Sequence, residues 1–299
     1  MIGATLIVAL AFGSSVAAQC VTVDPVIVPD LRIDPLDATG AAQIMQPVAL
    51  TFRRAGLDSG PVRVTYQIVD EDSAGVQRVG ISSGPQLEWR GNDSGRNIGA
   101  SRNEGYALLR SGEVALGENE ASQQSSLRLF LPNLGQDFPA GVYREQFTVR
   151  YWCASDDTAL PFEATGVVTV TVQVPNVLSA NVAGASTRGE IDFLDFLTPT
   201  RALSVSVRST GPYAVTAQSL NGSVMLREGG RVSDPADRIP YVVTFGGRPL
   251  SLGTVSSFTN PRAGLAGQQI PLNVTVDDVS NKRAGRYSDT LTLTLTPVV

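Results

Sequence analysis

Ala140-Gly141-Val142-Tyr143-Arg144-Glu145-Gln146-Phe147-Thr148-Val149 is written a second time as Ala284-Gly285-Arg286-Tyr287-Ser288-Asp289-Thr290-Leu291-Thr292-Leu293, with Gly285 standing 144 residues after Gly141. A repeat at that spacing marks two related modules and not a short-period solenoid. In each copy an Ala-Gly turn feeds a run with apolar residues at every second position, the pattern of a half-buried strand. Beyond the phrase itself the two modules diverge. After the first copy comes another strand-like stretch, Val168-Thr169-Val170-Thr171-Val172-Gln173-Val174, whereas the second is succeeded within a few residues by Val299. The second module is therefore expected to lack its last strand.

A chain of 299 residues accommodates two ordinary domains, each with its own core. Hydrophobic residues at 42% and charged residues at only 17%, with Val, Thr, Ser and Gly prominent, predict an all-β protein. Residues 1–18 read as a secretion signal: Leu6 to Phe12 is an apolar core, and Val16 and Ala18 are small residues before a cleavage site. The basic residue usual at the start of such a signal is absent, which points to a misplaced start codon. The apolar run is too short to span a bilayer, and Gln19 before Cys20 does not suit lipidation, so the mature chain is expected to be exported and soluble. In an oxidising compartment Cys20 and Cys153, the only cysteines, most simply form one disulfide tying the N-terminal strand to the last-but-one strand of the first module. Two buried free thiols are the alternative. A net charge of −5 with acids and bases interspersed offers no basic stripe for nucleic acid.

In the first module, residues 19–175, the predicted strands are Val21–Val28, Val48–Arg53, Val62–Val69, Gln77–Ile81, Ser126–Leu131, Tyr143–Tyr151 and the closing Val168–Val174. Turn residues separate them at the spacing of a sandwich. Asn92 to Glu120, polar and rich in glycine, reads as long loops with one short strand around Tyr106–Arg110. In the second module, residues 176–299, they are Gly189–Phe193, Ala202–Arg208, Tyr213–Ser219, Tyr241–Phe245, Pro271–Val276 and Tyr287–Leu295. Leu203, Val205 and Val207 share one face and Ser204 and Ser206 the other, which fixes the register because a one-residue slip inverts it. The same parity turns Tyr287, Leu291, Leu293 and Leu295 inward. It also turns Asp289 inward, with Glu145 at the matching place, and an acid there suits a rim position accepting loop amides better than a ligand site.

With those residues located, the second module resembles the spore coat protein U domain, the pilin fold of archaic (Csu-type) chaperone–usher pili. The matching phrases are Ile191-Asp192-Phe193, Leu203-Ser204-Val205-Ser206-Val207, Ser209-Thr210-Gly211-Pro212-Tyr213-Ala214-Val215, Pro240-Tyr241-Val242-Val243 and, most specific, Ala284 to Leu293. Where many such pilins carry a cysteine after the Leu203–Val207 strand, Arg208 stands here, an argument against a major shaft subunit. The resemblance implies two immunoglobulin-like β-sandwich domains, the C-terminal one an incomplete pilin domain lacking its last strand. It implies a donor-strand groove lined by Leu203, Val205, Val207, Tyr287, Leu291, Leu293 and Leu295. A periplasmic pilus chaperone fills such a groove first, then the next pilin subunit at the outer-membrane usher. Unless Val177–Val182 or an N-terminal segment completes the sheet, an open edge of this kind aggregates. With the mature N-terminus anchored at Cys20 and little left to donate, the chain resembles the two-domain tip adhesin, whose first domain meets a host or abiotic surface. Ile44, Met45, Leu87, Trp89, Leu134 and Phe138 are candidate tip contacts, with a core role as the alternative for each.

Enzymatic chemistry finds little support. Gly80-Ile81-Ser82-Ser83-Gly84 has the letters of a nucleophile elbow, but the chain contains no histidine to serve as base. Two cysteines without histidine make no structural zinc site. Asp70-Glu71-Asp72-Ser73-Ala74-Gly75 has half the spacing of a calcium loop, with Ile81 where the bidentate glutamate belongs. No cofactor is expected. The rivals are a free-standing secreted protein that binds surfaces or carbohydrate, and a periplasmic pilus chaperone. The second would need basic anchoring residues in its cleft, and none are evident.

Overall fold

The computed structural model describes residues 19–36, 44–56, 60–70, 88–91, 96–101, 110–131, 137–153, 160–182, 187–252 and 258–298. Residues 1–18, Gln77–Ile81, Gly80–Gly84, Glu71–Gly75 and Tyr106–Leu109 lie outside them. The protein is all-β, and its strands divide between two immunoglobulin-like sandwiches. The first comprises β1 (Val21–Val23), β2 (Val26–Ile27), β3 (Leu31–Arg32), β4 (Ile44–Arg54), β5 (Val62–Asp70), β6 (Glu88–Gly91), β7 (Gly99–Ser101), β8 (Gly112–Leu116), β9 (Ser122–Leu131), β10 (Gly141–Trp152) and β11 (Phe162–Val174). One of its sheets runs β1-β4-β9-β6; the other runs β2-β11-β10-β5-β7, with β3 added on β11 and β8 on β5. Alternation sends Val48, Leu50 and Phe52 of β4 and Leu127 and Leu129 of β9 inward against Phe147, Val149 and Tyr151 of β10. The Trp89 ring meets that of Phe147 edge-on, centroids 5.1 Å apart.

Cys20 and Cys153 are disulfide-bonded, joining the start of β1 to the end of β10. The polar stretch Asn92–Glu120 corrects the loop reading, since it holds β7, parallel to β5, and β8, antiparallel to it. Both are short, and their hydrogen bonds come from β5, so local composition understates them. Gly112 is required by packing, because a Cβ there would collide with the Tyr66 ring.

The second sandwich comprises β12 (Leu178–Val182), β13 (Thr200–Ser209), β14 (Tyr213–Ser219), β15 (Val224–Arg227), β16 (Arg238–Phe245), β17 (Arg248–Leu250), β18 (Phe258–Asn260), β19 (Gly264–Val276), β20 (Tyr287–Ser288) and β21 (Leu291–Pro297). Its larger sheet runs β12-β13-β19-β16-β15-β20 with β17 on β16, and its smaller one β18-β14-β21. A separate core gathers Val205, Val207, Val215, Val243, Phe245, Leu272 and Val274.

Two predicted strands are corrected here. Gly189–Phe193 is not a strand: Asp192 Oδ1 accepts the Leu194 N–H at 2.8 Å, and Phe196 N–H donates to Phe193 O at 2.9 Å, closing turns. Tyr287–Leu295 is broken at Asp289-Thr290, where the chain crosses between sheets: Tyr287 pairs with Arg227 of β15, and Leu291 with Ser219 of β14.

Candidate functional site: an open strand edge in the second domain

The repeated phrase makes the two sandwiches directly comparable. In each copy the tyrosine hydroxyl donates to the carbonyl four residues back, Tyr143 to Pro139 and Tyr287 to Arg283, both at 2.7 Å. β10 and β21 are thus equivalent strands, Phe147, Val149 and Tyr151 corresponding to Leu291, Leu293 and Leu295. Each pairs on one side with an equivalent neighbour, β10 with β5 and β21 with β14.

The other side differs. β11 lies antiparallel along β10 from Gly141↔Val174 to Tyr151↔Phe162, and β2 and β3 lie parallel against the far edge of β11. Val168, Val170, Val172 and Val174 of β11 close the core, leaving Phe147, Val149 and Tyr151 with no exposed surface. In the second domain, among the described residues, no strand pairs with the outer edge of β21. Leu291, Leu293 and Leu295 are consequently only half-buried. Across from them stands β12, bonded to β13 alone, its Leu178, Ala180 and Val182 half-buried as well. The stretch Val177–Val182 therefore extends the larger sheet and leaves the β21 edge open.

Side-chain hydrogen bonds fix both ends of β21. Near Leu295, the Asn176 amide donates to Val298 O at 2.7 Å and to Pro212 O at 3.0 Å, and Val298 N–H donates to Pro212 O at 3.0 Å. Near Leu291, Asp289 is a rim acid bonded to loop amides: Oδ1 accepts from Asn221 N at 3.1 Å and Thr290 N at 2.7 Å, and Oδ2 from the Ser219 and Tyr241 hydroxyls. Burial, reinforced by that carboxylate, pushes the Tyr241 phenol well above its usual value. Ile191, Phe193 and Phe196 pack on the same core, the two Phe rings stacked with centroids 5.9 Å apart.

Of the sequence-derived groove residues, Val205 and Val207 are buried beneath the opening, and Leu203, Leu291, Leu293 and Leu295 are half-buried. Tyr287 stands apart on β20, its hydroxyl within reach of Ala236 O as well as Arg283 O. Leu178, Ala180, Val182 and Phe196 are absent from that set, although the first three fall in Val177–Val182, the stretch expected as the alternative completing strand. β12 is half-buried along its whole length, so the apolar alternation of Leu178-Ser179-Ala180-Asn181-Val182 marks a strand without saying which groove it faces.

Two of the candidate tip contacts, Trp89 and Phe138, are core residues at 0% and 2% exposure, Trp89 because β6 places it opposite the buried Leu129. Leu87 and Leu134 lie outside the described residues. Met45 is 55% exposed, and Ile44 and Met45 pair with Leu131 and Phe130 at the end of β9. Among the described residues, no cluster of three or more His, Cys, Asp or Glu is placed to hold a metal ion.

No protein-family model matches the sequence, and no curated protein does. Among solved structures the chain is similar to the CsuC–CsuE chaperone–tip adhesion subunit complex of archaic chaperone–usher Csu pili from Acinetobacter baumannii. That match has 12% identity and a TM-score of 0.40, covering 92% of this chain and 99% of that one. The CupB6 tip adhesin from Pseudomonas aeruginosa matches with 13% identity and a TM-score of 0.43, covering 92% of this chain and 94% of that one. A chaperone–tip adhesin complex of CFA/I fimbriae biogenesis matches with 11% identity and a TM-score of 0.40, covering 92% and 97%. Likeness this distant carries no inference about what this chain binds.

Proposed function

We propose that this chain is an exported, non-enzymatic adhesive subunit of a chaperone–usher pilus, located at the tip and assembled by strand addition to its second domain. The observation that carries the reading is the contrast between two equivalent strands. β10 is closed by β11, while β21, among the described residues, has an unpaired edge above half-buried leucines. An extended segment with apolar residues at alternate positions satisfies both needs of that edge, its unpaired backbone groups and its uncovered side chains. A periplasmic chaperone is its first occupant, and a strand of the neighbouring pilin subunit at the usher replaces it.

The tip position draws support from the first domain. β1, β2 and β3 are committed to that domain's own sheets, and the disulfide holds the start of β1. The contact surface for host or abiotic material then lies at the end of the first domain remote from the second. There Arg54 donates to the carbonyls of Gly60 at 2.7 Å, Gly117 at 2.8 Å and Glu120 at 3.0 Å, and Leu160 is 90% exposed.

Expression of residues 19–299 in the periplasm, alone and with a pilin-type donor strand fused after Val299, tests the reading. A soluble fusion that melts cooperatively, beside a parent that is less stable and aggregates as its concentration rises, is the expected result. Two equally stable monomers would instead favour a free-standing surface-binding protein.

A further inference from the structure

The junction between the sandwiches is built from three segments. In the loop ahead of β10, Asp137 Oδ1 accepts the Leu265 N–H at 2.9 Å and Oδ2 receives the Arg262 guanidinium. Three residues on, Ala140 N–H donates to Thr210 O at 2.7 Å. Thr210 is fully buried and stitches the linker in turn. Its hydroxyl donates to Pro175 O at 2.7 Å and accepts from Val177 N at 2.9 Å, and its N–H donates to Val177 O at 3.0 Å.

The chemistry around Asp137 is specific. A register shift between Val207 and Ser209 sets Gly264 opposite Ser209, and Ser209 Oγ accepts the Ala263 N–H at 2.9 Å. Gly264 sits at φ +74°, and a Cβ there would lie 3.0 Å from Asp137 Oδ2. Any side chain at 264 would strain the backbone and push the carboxylate away. Tyr143, through its bond to Pro139 O, holds the shape of the loop that carries the acid.

We infer that Asp137 is an interdomain latch. With it engaged, the linker, the Ser209–Tyr213 connector and the Asp137–Ala140 loop hold both sandwiches as one rigid body. With it released, they swing about Pro175–Val177 while each stays folded. Domains joined by a short linker otherwise move relative to each other by default. Asp137 and Arg262 retain 47% and 24% of their side-chain exposure, so salt weakens their attraction, while the backbone bond from Ala140 N–H to Thr210 O is less affected. The inference stands whether or not the second domain receives a strand.

Residual dipolar couplings test it, on the exported chain or, where that chain aggregates at the concentration required, on the donor-strand fusion. One alignment tensor for both domains is expected in the wild type, and two distinct tensors in Asp137→Ala, with core chemical shifts of each domain unchanged. Gly264→Ser reaches the same release from the other side and keeps the test decisive if Asp137→Ala fails to fold. Asp24→Ala, which removes the Arg53 ion pair within the first domain, is expected to keep one tensor. Independent tensors in the wild type, or a single tensor in whichever latch variant folds, would overturn the latch.

Discussion

Truncating Leu293 separates the proposed open edge from an ordinary sheet margin. A leucine buried on all sides costs about 2–5 kcal/mol when cut to alanine. Leu129, 1% exposed in the first domain, is such a residue, and Leu129→Ala should show that cost. Leu293 is covered on one side only, by the core residues opposite and by Ala217 of β14. Leu293→Ala in the uncomplemented domain should therefore cost about half as much, on the order of 1–2 kcal/mol. Once a strand lies along β21 the residue is enclosed and the full cost applies. The difference, on the order of 1–2 kcal/mol, appears as weaker strand binding, about tenfold in affinity at 1.4 kcal/mol. A suitable probe is a peptide with the sequence of this chain's own Val168–Val174, which closes the equivalent strand in the first domain. Fluorescence polarisation reports its affinity, and melting of each variant with and without peptide reports the cost. No binding to the wild-type chain, or equal affinity for wild type and Leu293→Ala, would refute the reasoning.

Replacing Cys20 and Cys153 by serine should lower the stability of the first domain by about 4–5 kcal/mol in the chain-entropy model. Calorimetry should show the second domain's transition unmoved. Asp237, 3% exposed, is held well below the usual carboxylate range by Arg227, by the Arg231 N–H and by Arg283. A depressed folded-state pKa means that its stabilisation is complete above the ordinary carboxylate value and is lost as pH falls toward the folded one. The second domain's Tm should therefore drop steeply below about pH 4, and Asp237→Asn should flatten that drop while lowering Tm at neutral pH. Gly112→Ala should push the Tyr66 ring from its place and weaken its 2.6 Å bond to Ser125. Denaturant unfolding should show a loss of about 1–3 kcal/mol from overpacking.

The fold was legible where a strand carried its own alternation. Leu203, Val205 and Val207 declared β13, and the twin phrases declared β10 and the end of the second domain. β7 and β15 were not legible, because three or four residues held mainly by a neighbour's hydrogen bonds leave no period to read. Ile191-Asp192-Phe193 failed in the opposite sense: its two apolar residues do reach the core, but from turns fixed by Asp192 and Phe193. The placement of the tip candidates depended on topology. Which pole of a sandwich a strand end occupies is decided by the path of the whole chain, and the pairing of Ile44 and Met45 with the end of β9 is not written in their own neighbours. Only comparison within the chain makes the open edge readable. The sequence shows Phe147, Val149 and Tyr151 matched by Leu291, Leu293 and Leu295, but a half-buried leucine is ordinary when taken alone. Its meaning comes from the first domain, where the same strand has a neighbour and its residues are sealed. The first domain is thus an internal standard for the second. Whatever lies along β21 should reproduce what β11 does for β10, with β-branched residues at alternate positions turned to the core and a backbone that pairs along the length from Leu291 to Pro297.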